Sequence, residues 1–381
     1  MNQTQCVDAE AFVLDTKFNI IRVLLIILCT IIFILLLRII WYYKTNAVKL
    51  HTNLIVVKVF GISKFARART FVHSYVWYEV PNIGRQAFFD RNLERFNLTI
   101  LISNVLFLYA IYALSFMLEA VINFIVLFTY SNPCDCLTQV WLLYLIKTPS
   151  YMYIVGSSLS HFAIMIERVL ATVYVKIYEN QGKMFGVIST IIVWLLSLMY
   201  GLYIYITTQM DTDTFSHPVV YVTLTNNYNS HPLIYLNSFL LFLVICIAIA
   251  DYYLIRRNQK IKLNFFKSTT NYSLNKSYQA KQNILSMKII FPLDFSYSFI
   301  YTIFIILTNF IRYKREEYGQ LVYIRAHEGL TLLIFLHAII TLIVYNYFLK
   351  KQNEIKKNFV KINTMNISSE MYFKNLNLSW K

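Results

Sequence analysis

The 381-residue sequence predicts an all-α membrane protein, a bundle of seven transmembrane helices with its N-terminus outside the cell. Three observations carry that reading. Hydrophobic residues make up 57% of the chain against 14% charged, and mean hydropathy is +0.51, a balance a water-soluble chain of this size does not reach. With 8 Gly and 6 Pro, the sequence suits long helices and disfavours a loop-rich or all-β protein. Finally, the apolar residues gather in seven runs, each near or above the roughly 20 residues a bilayer crossing requires.

The runs fall near 20–43, 98–128, 140–168, 185–207, 233–255, 285–311 and 328–349. Residues 1–19 then form an extracellular tail, 20–349 the transmembrane domain and 350–381 a cytoplasmic tail. No internal repeat and no Pro/Gly/Ser linker divides the chain. The first run is too long for a signal core and has no basic leader, so it reads as a signal anchor.

Charge placement sets the orientation. The 44–97 segment carries Lys44, Lys49, Lys58, Lys64, Arg67, Arg69, Arg85, Arg91 and Arg95. Seven more Lys and Arg lie between Arg256 and Lys281, and seven between Lys350 and Lys381. The 129–139 and 208–232 loops carry none. Positive charge on the cytoplasmic side therefore places the N-terminus outside, with only the segment bearing Arg312, Lys314, Arg315 and Arg325 dissenting. The net charge of +16 follows this topology and not a nucleic-acid surface. Residues 44–97 are long for a connecting loop; 51–79 reads as a cytoplasmic or interfacial helix, with an insertion or a gene-model error as the competing account.

Cys29 and Cys246 lie in apolar runs and read as small core residues. Cys6, Cys134 and Cys136 all fall on the outer, oxidising side, where a bridge from Cys6 to either of the other two would tie the tail over the bundle mouth. A metal role for Cys134 and Cys136 lacks further ligands nearby.

Ionisable residues inside a membrane are expensive and mark functional sites. Glu119 and Lys147 lie at similar depth, roughly 10–13 Å below the outer surface at 1.5 Å per residue. Pairing the two would offset most of the cost of burying either. With Tyr151, and with His231 at the rim of the second outer loop, they form the candidate ligand-binding set. At the opposite end of the third run, Glu167 and Arg168 sit side by side where the run meets a basic segment. Topology-setting by a snorkelling Arg168 is the bland alternative. In the sixth run Pro292 should bend the helix beside Asp294, giving an element with two packings. Arg256 and Arg257 close the fifth run on the cytoplasmic side and join Glu167, Arg168, Pro292 and Asp294 as candidate coupling residues. His337, in the seventh run, reads as a core histidine.

No zinc-protease, nucleophile-elbow, phosphate-loop or repeated Cys-x-x-Cys pattern occurs, so the expectation is not an enzyme, with no cofactor and no metal.

Glu167-Arg168-x-x-Ala171-Thr172, followed by Tyr178-Glu179, resembles the third-helix exit of nematode serpentine chemoreceptors of the Sra superfamily (class alpha, alpha-beta and epsilon-like). The stretch from Ser273 to Phe295, with Lys276-Ser277-Tyr278-Gln279 and Gln282-Asn283 before Pro292, is similar to that family's sixth-helix approach. Trp194 is similar to the fourth-helix tryptophan of rhodopsin-like receptors. The resemblance implies a seven-helix G-protein-coupled receptor, with a small-molecule ligand, a heterotrimeric G protein and the lipid bilayer as partners. It also implies that Glu167 and Arg168 hold the inactive state and meet the G protein, in the plasma membrane of sensory cells. The sequence departs from the receptor pattern in lacking a cysteine in the 208–232 loop and in reading Val344-Tyr345-Asn346-Tyr347 where Asn-Pro-x-x-Tyr is usual. A polytopic transporter or channel is the alternative, disfavoured by the lack of inverted repeats and paired broken helices.

Overall fold

In hydrocarbon, a backbone N–H or C=O has no water to bond to, so a long apolar segment must satisfy its polar groups internally and folds as a helix. The computed structural model describes residues 3–65, 81–174, 184–210, 218–221, 228–267 and 274–379. Its helices are α1 (Gln3–Val13), α2 (Thr16–Phe65), α3 (Pro81–Thr129), α4 (Val140–Val173), α5 (Met184–Gln209), α6 (Ser230–Lys267), α7 (Leu274–Tyr313), α8 (Arg315–Tyr318) and α9 (Gln320–Ser379), with a 3-10 turn at Pro133–Cys136. Seven of these contain spans long and apolar enough to cross a bilayer: Thr16–Thr45, Asn97–Thr129, Val140–Val173, Met184–Gln209, His231–Ile261, Ile290–Tyr313 and Gln320–Lys351. The protein is a seven-transmembrane helix bundle.

The 44–97 segment is built differently from the sequence reading. Residues 46–65 continue α2 instead of starting a separate helix at 51, because neither Gly nor Pro interrupts the chain before Gly61. Residues 66–80 of the expected 51–79 helix lie outside the described residues. Helix α3 begins at Pro81, a residue suited to a first helical turn, well before its apolar span.

The spans close into a ring, with α2 against α3 and α9, α9 against α7, α7 against α6, α6 against α4 and α4 against α3. Helix α5 packs outside the ring on α3 and α4. That leaves Ile191, Leu195, Leu198 and Leu202 exposed, as a lipid-facing surface requires. Helix α4 is the hub, touching α3, α5, α6 and α7. Its close approach to α5 depends on Gly156, where a Cβ would lie 2.9 Å from Ser197 Oγ and 3.1 Å from a Leu108 methyl.

Polar side chains pin the helices at defined registers. Trp194 Nε1 on α5 donates to Asn104 Oδ1 on α3 at 2.6 Å, and Asn104 Nδ2 donates to Ser160 Oγ on α4 at 3.0 Å. Tyr42 OH donates to the Leu349 carbonyl at 2.6 Å, joining α2 to α9. Between these ties lies an aromatic core in which Tyr112 stands 4.9 Å from Phe116, 4.3 Å from Tyr153 and 4.8 Å from Phe335, centroid to centroid.

The end of the bundle that carries the N-terminus is covered. Asp15 accepts a hydrogen bond from the Phe18 N–H at 2.6 Å, capping α2. Cys6 on α1 is disulfide-bonded to Cys134 in the 3-10 turn, while Cys136 is a buried free thiol. Thr138 and Val219 exchange backbone hydrogen bonds of 2.9 Å each way, which lays the 218–221 segment across the mouth. Phe12, Phe18, Tyr323 and Ile324 form a small apolar cluster under this cover, with Val220 and Tyr221 packed on it.

Candidate functional site

Four helices and one loop each place an ionisable or phenolic side chain at the same level below the covered end. Arg22 lies six residues into α2, Lys147 seven into α4, Glu328 eight into α9 and Glu119 ten before the end of α3. At 1.5 Å per residue these depths are about 9–15 Å. Lys147 Nζ lies 2.8 Å from Glu119 Oε1 and 3.3 Å from Glu328 Oε1, with all three side chains less than 10% exposed. Tyr221 reaches down from the loop, donating its OH to Glu328 Oε1 at 2.6 Å, and Lys147 Nζ sits 3.4 Å from the centre of its ring. Burial, reinforced by the charge of Glu328, pushes the Tyr221 phenol well above its ordinary value, so it remains a donor at physiological pH.

Lys147 neutralises only one of the two buried carboxylates it meets, so the three groups together leave one negative charge, which Arg22 offsets from α2. Local sequence helps position the lysine. Pro149 lies inside α4 and removes a helical N–H. Nearby, the Ile146 carbonyl accepts from Ser115 Oγ of α3, and the Lys147 carbonyl accepts from Ser150 Oγ at 2.7 Å.

Of the other residues expected at this end, Tyr151 is half-buried one turn below Lys147, within electrostatic reach of Glu328 and Arg312. His231 is exposed on the first turn of α6, away from this buried layer.

The other end of α4 carries the second polar group. Glu167 is 0% and Arg168 3% exposed. Arg168 donates from Nε to one Glu167 carboxylate oxygen and from Nη2 to the other, a side-on fork between sequence neighbours. One turn on, Thr172 Oγ1 accepts from Asn258 Nδ2 of α6 at 3.2 Å. Arg256 and Arg257 on that helix are exposed, and Arg256 donates to Tyr252 OH at 2.9 Å.

Between the two ends lies a buried link. Asp294 Oδ1 on α7 is 2.5 Å from His161 Nδ1 on α4, whose ring stacks on Tyr297 at 4.4 Å. Asp251 on α6 is fully buried and interacts electrostatically with Asp294, His161 and Arg168. Pro292 lies inside α7, two residues before Asp294. His337 is buried near Ser296, Thr341 and the Tyr297 ring.

Sequence reasoning overlooked Arg22, His161, Asp251 and Glu328. The available signal was the one that revealed Glu119 and Lys147, a lone ionisable residue in or at the edge of an apolar run. Among the described residues, no group of three or more His, Cys, Asp or Glu is placed to hold a metal ion.

A seven-helix membrane bundle with buried ionic groups at both ends of its central helix has the architecture of a serpentine receptor. The family profile of serpentine type 7TM GPCR receptor class ab chemoreceptors matches residues 86–381, and the chain belongs to that family. It is also similar to serpentine receptor class alpha/beta-14 of Caenorhabditis elegans, at 26% identity over 206 residues. That alignment covers 53% of this chain and 51% of the relative, so the chain spans about half the length of the curated relative it matches.

Proposed function

We propose that this chain is a chemosensory G-protein-coupled receptor of the sensory-cell plasma membrane, oriented with its N-terminus outside. It binds a small molecule at the Glu119, Lys147 and Tyr151 level of the bundle, with His231 at the rim. It signals to a heterotrimeric G protein through the end bearing Glu167, Arg168, Arg256 and Arg257, with Pro292 and Asp294 in the moving helix.

The observation that carries this reading is the stacking of three buried polar groups along one helix. Lys147 meets α3 and α9 at one end of α4, His161 meets α7 in the middle, and Arg168 is held by Glu167 at the other end. A displacement at the first group is communicated to the last through packed helices whose polar partners can exchange, which is what a two-state element needs. The Cys6–Cys134 bridge supports the orientation, since disulfides persist in the extracellular space.

The test is expression with a promiscuous G protein, comparing odorant-evoked second-messenger signals with solute flux. Evoked signalling that Arg168→Ala removes, without flux, supports the receptor. Flux without G-protein dependence overturns it. Surface labelling of an N-terminal but not a C-terminal tag on intact cells tests the orientation separately.

A further inference from the structure

Arg22 stands apart from the ion pairs around it. The residue is 3% exposed. Its Nη1 donates to Asn19 Oδ1 at 2.9 Å, and its guanidinium lies 4.0 Å over the Phe18 ring. Nε and Nη2 are buried and have no hydrogen-bond partner. These two nitrogens are the side-on edge of the guanidinium, the edge that pairs with both oxygens of a carboxylate. Leaving such donors without an acceptor in a buried site costs their full desolvation, so the position calls for an acceptor.

The neighbouring carboxylates do not meet this demand. Glu119 faces Lys147, Glu328 takes both Lys147 and the Tyr221 hydroxyl, and Asp15 is 2.5 Å from Arg325 Nη2. All three act on Arg22 through charge alone.

Charge balance points the same way. Arg312 on α7 also has buried guanidinium nitrogens without a partner, Nε and Nη1. It shares the surroundings of His327 with Lys147 and Glu328, and those of Tyr151 with Glu328. Arg312 lies in the last turn of α7 and reaches this group electrostatically at His327 and Tyr151; counted with it, Arg22 and Lys147 exceed Glu119 and Glu328 by one positive charge, while Asp15 and Arg325 cancel. A monoanion closes the balance. Deeper in the bundle, Tyr112 is within electrostatic reach of Glu328 and packs against the tilted rings of Phe116 and Phe335, an aromatic floor for an apolar body.

We propose that the ligand of this level is an organic monocarboxylate with an apolar body, its two carboxylate oxygens seated on Nε and Nη2 of Arg22, and its charge balanced by the cationic surplus that includes Arg312. The assignment rests on the receptor reading for where the ligand sits, and deepens it by naming the chemical class. A planar carboxylate matches the side-on edge and the single surplus charge, whereas inorganic phosphate is tetrahedral and carries more charge.

The test uses purified full-length protein in lipid nanodiscs and reads its melting midpoint. Octanoate, benzoate, phenylacetate and indole-3-acetate are compared with their methyl esters and with inorganic phosphate. At least one acid should raise the midpoint by about 2–5 °C, and its ester and phosphate should not. Arg22→Gln should abolish the rise. Arg22→Lys should abolish it too, because it keeps the charge and loses the two-nitrogen edge. The proposal is overturned if no acid stabilises the wild type, if esters or phosphate do so equally, or if the Arg22 variants respond like the wild type. A neutral compound that evokes G-protein signalling while no acid stabilises the protein removes this assignment and leaves the receptor standing. An acid that binds through Arg22 but drives solute flux without signalling does the reverse.

Discussion

Lys147 Nζ lies 2.8 Å from Glu119 Oε1, a buried ion pair that joins α4 to α3 inside the bilayer span. The pair is not isolated, because Glu328 of α9 approaches the same ammonium at 3.3 Å. The lysine and Glu119 are therefore unequal in what their loss leaves behind.

Lys147→Met leaves two carboxylates facing each other and should destabilise the protein by about 3–5 kcal/mol, with loss of surface expression. Glu119→Gln leaves Lys147 with Glu328, so its cost should be smaller, about 1–3 kcal/mol. Combining the changes should recover part of the Lys147→Met loss. Thermal unfolding of the three variants checks the order; strict additivity would show that the residues act independently.

The second prediction concerns the cover. Peptide mapping under non-reducing conditions should recover Cys6 linked to Cys134. Cys6→Ser and Cys134→Ser should each cost about 2–5 kcal/mol, since the bridge closes a long stretch of chain. Cys136→Ser should cost less, because that thiol is buried but unbridged. A linked Cys6–Cys136 peptide pair would contradict this arrangement.

Asn104 provides a third test. Its side chain joins Trp194 of α5 to Ser160 of α4, so Asn104→Ala leaves a half-buried indole N–H without its acceptor and a buried serine without its donor. The expected loss is about 1–3 kcal/mol, read as a lower melting midpoint of the full-length protein. Trp194→Phe removes the donor along with its need and should cost less.

The bundle was legible in the sequence because lipid imposes a simple rule: apolar runs of spanning length must be helices, and basic loops sort to one side. Glu119 and Lys147 were legible because each is a lone charge in such a run. Glu328 and Arg22 were not, since both lie near the ends of apolar runs, where a charge reads as a boundary marker. That they share a level with Lys147 depends on which helices are neighbours, and the sequence carries no direct record of that. After Thr45 the sequence predicts a separate helix from 51, set off from the span because lysines at 49, 58 and 64 exclude lipid; residues 51–65 are helical as expected but continue α2 without a break, since lysines do not stop a helix. His161 with Asp294 shows the same limit, because only packing brings α4 and α7 within 2.5 Å.

On the proposed receptor function, the Glu167 carboxylate restrains Arg168 in the resting state. Glu167→Gln removes the charge and keeps the shape, and a change of about 1.4 kcal/mol shifts the ratio of the two states tenfold. The decisive measurement is ligand-independent nucleotide exchange on a co-expressed promiscuous G protein, normalised to surface receptor. Glu167→Gln should raise the basal rate severalfold, and Arg168→Ala should abolish coupling while surface expression persists. If both variants reach the surface and exchange proceeds at the wild-type rate, Glu167 and Arg168 are structural charges and the switch lies elsewhere.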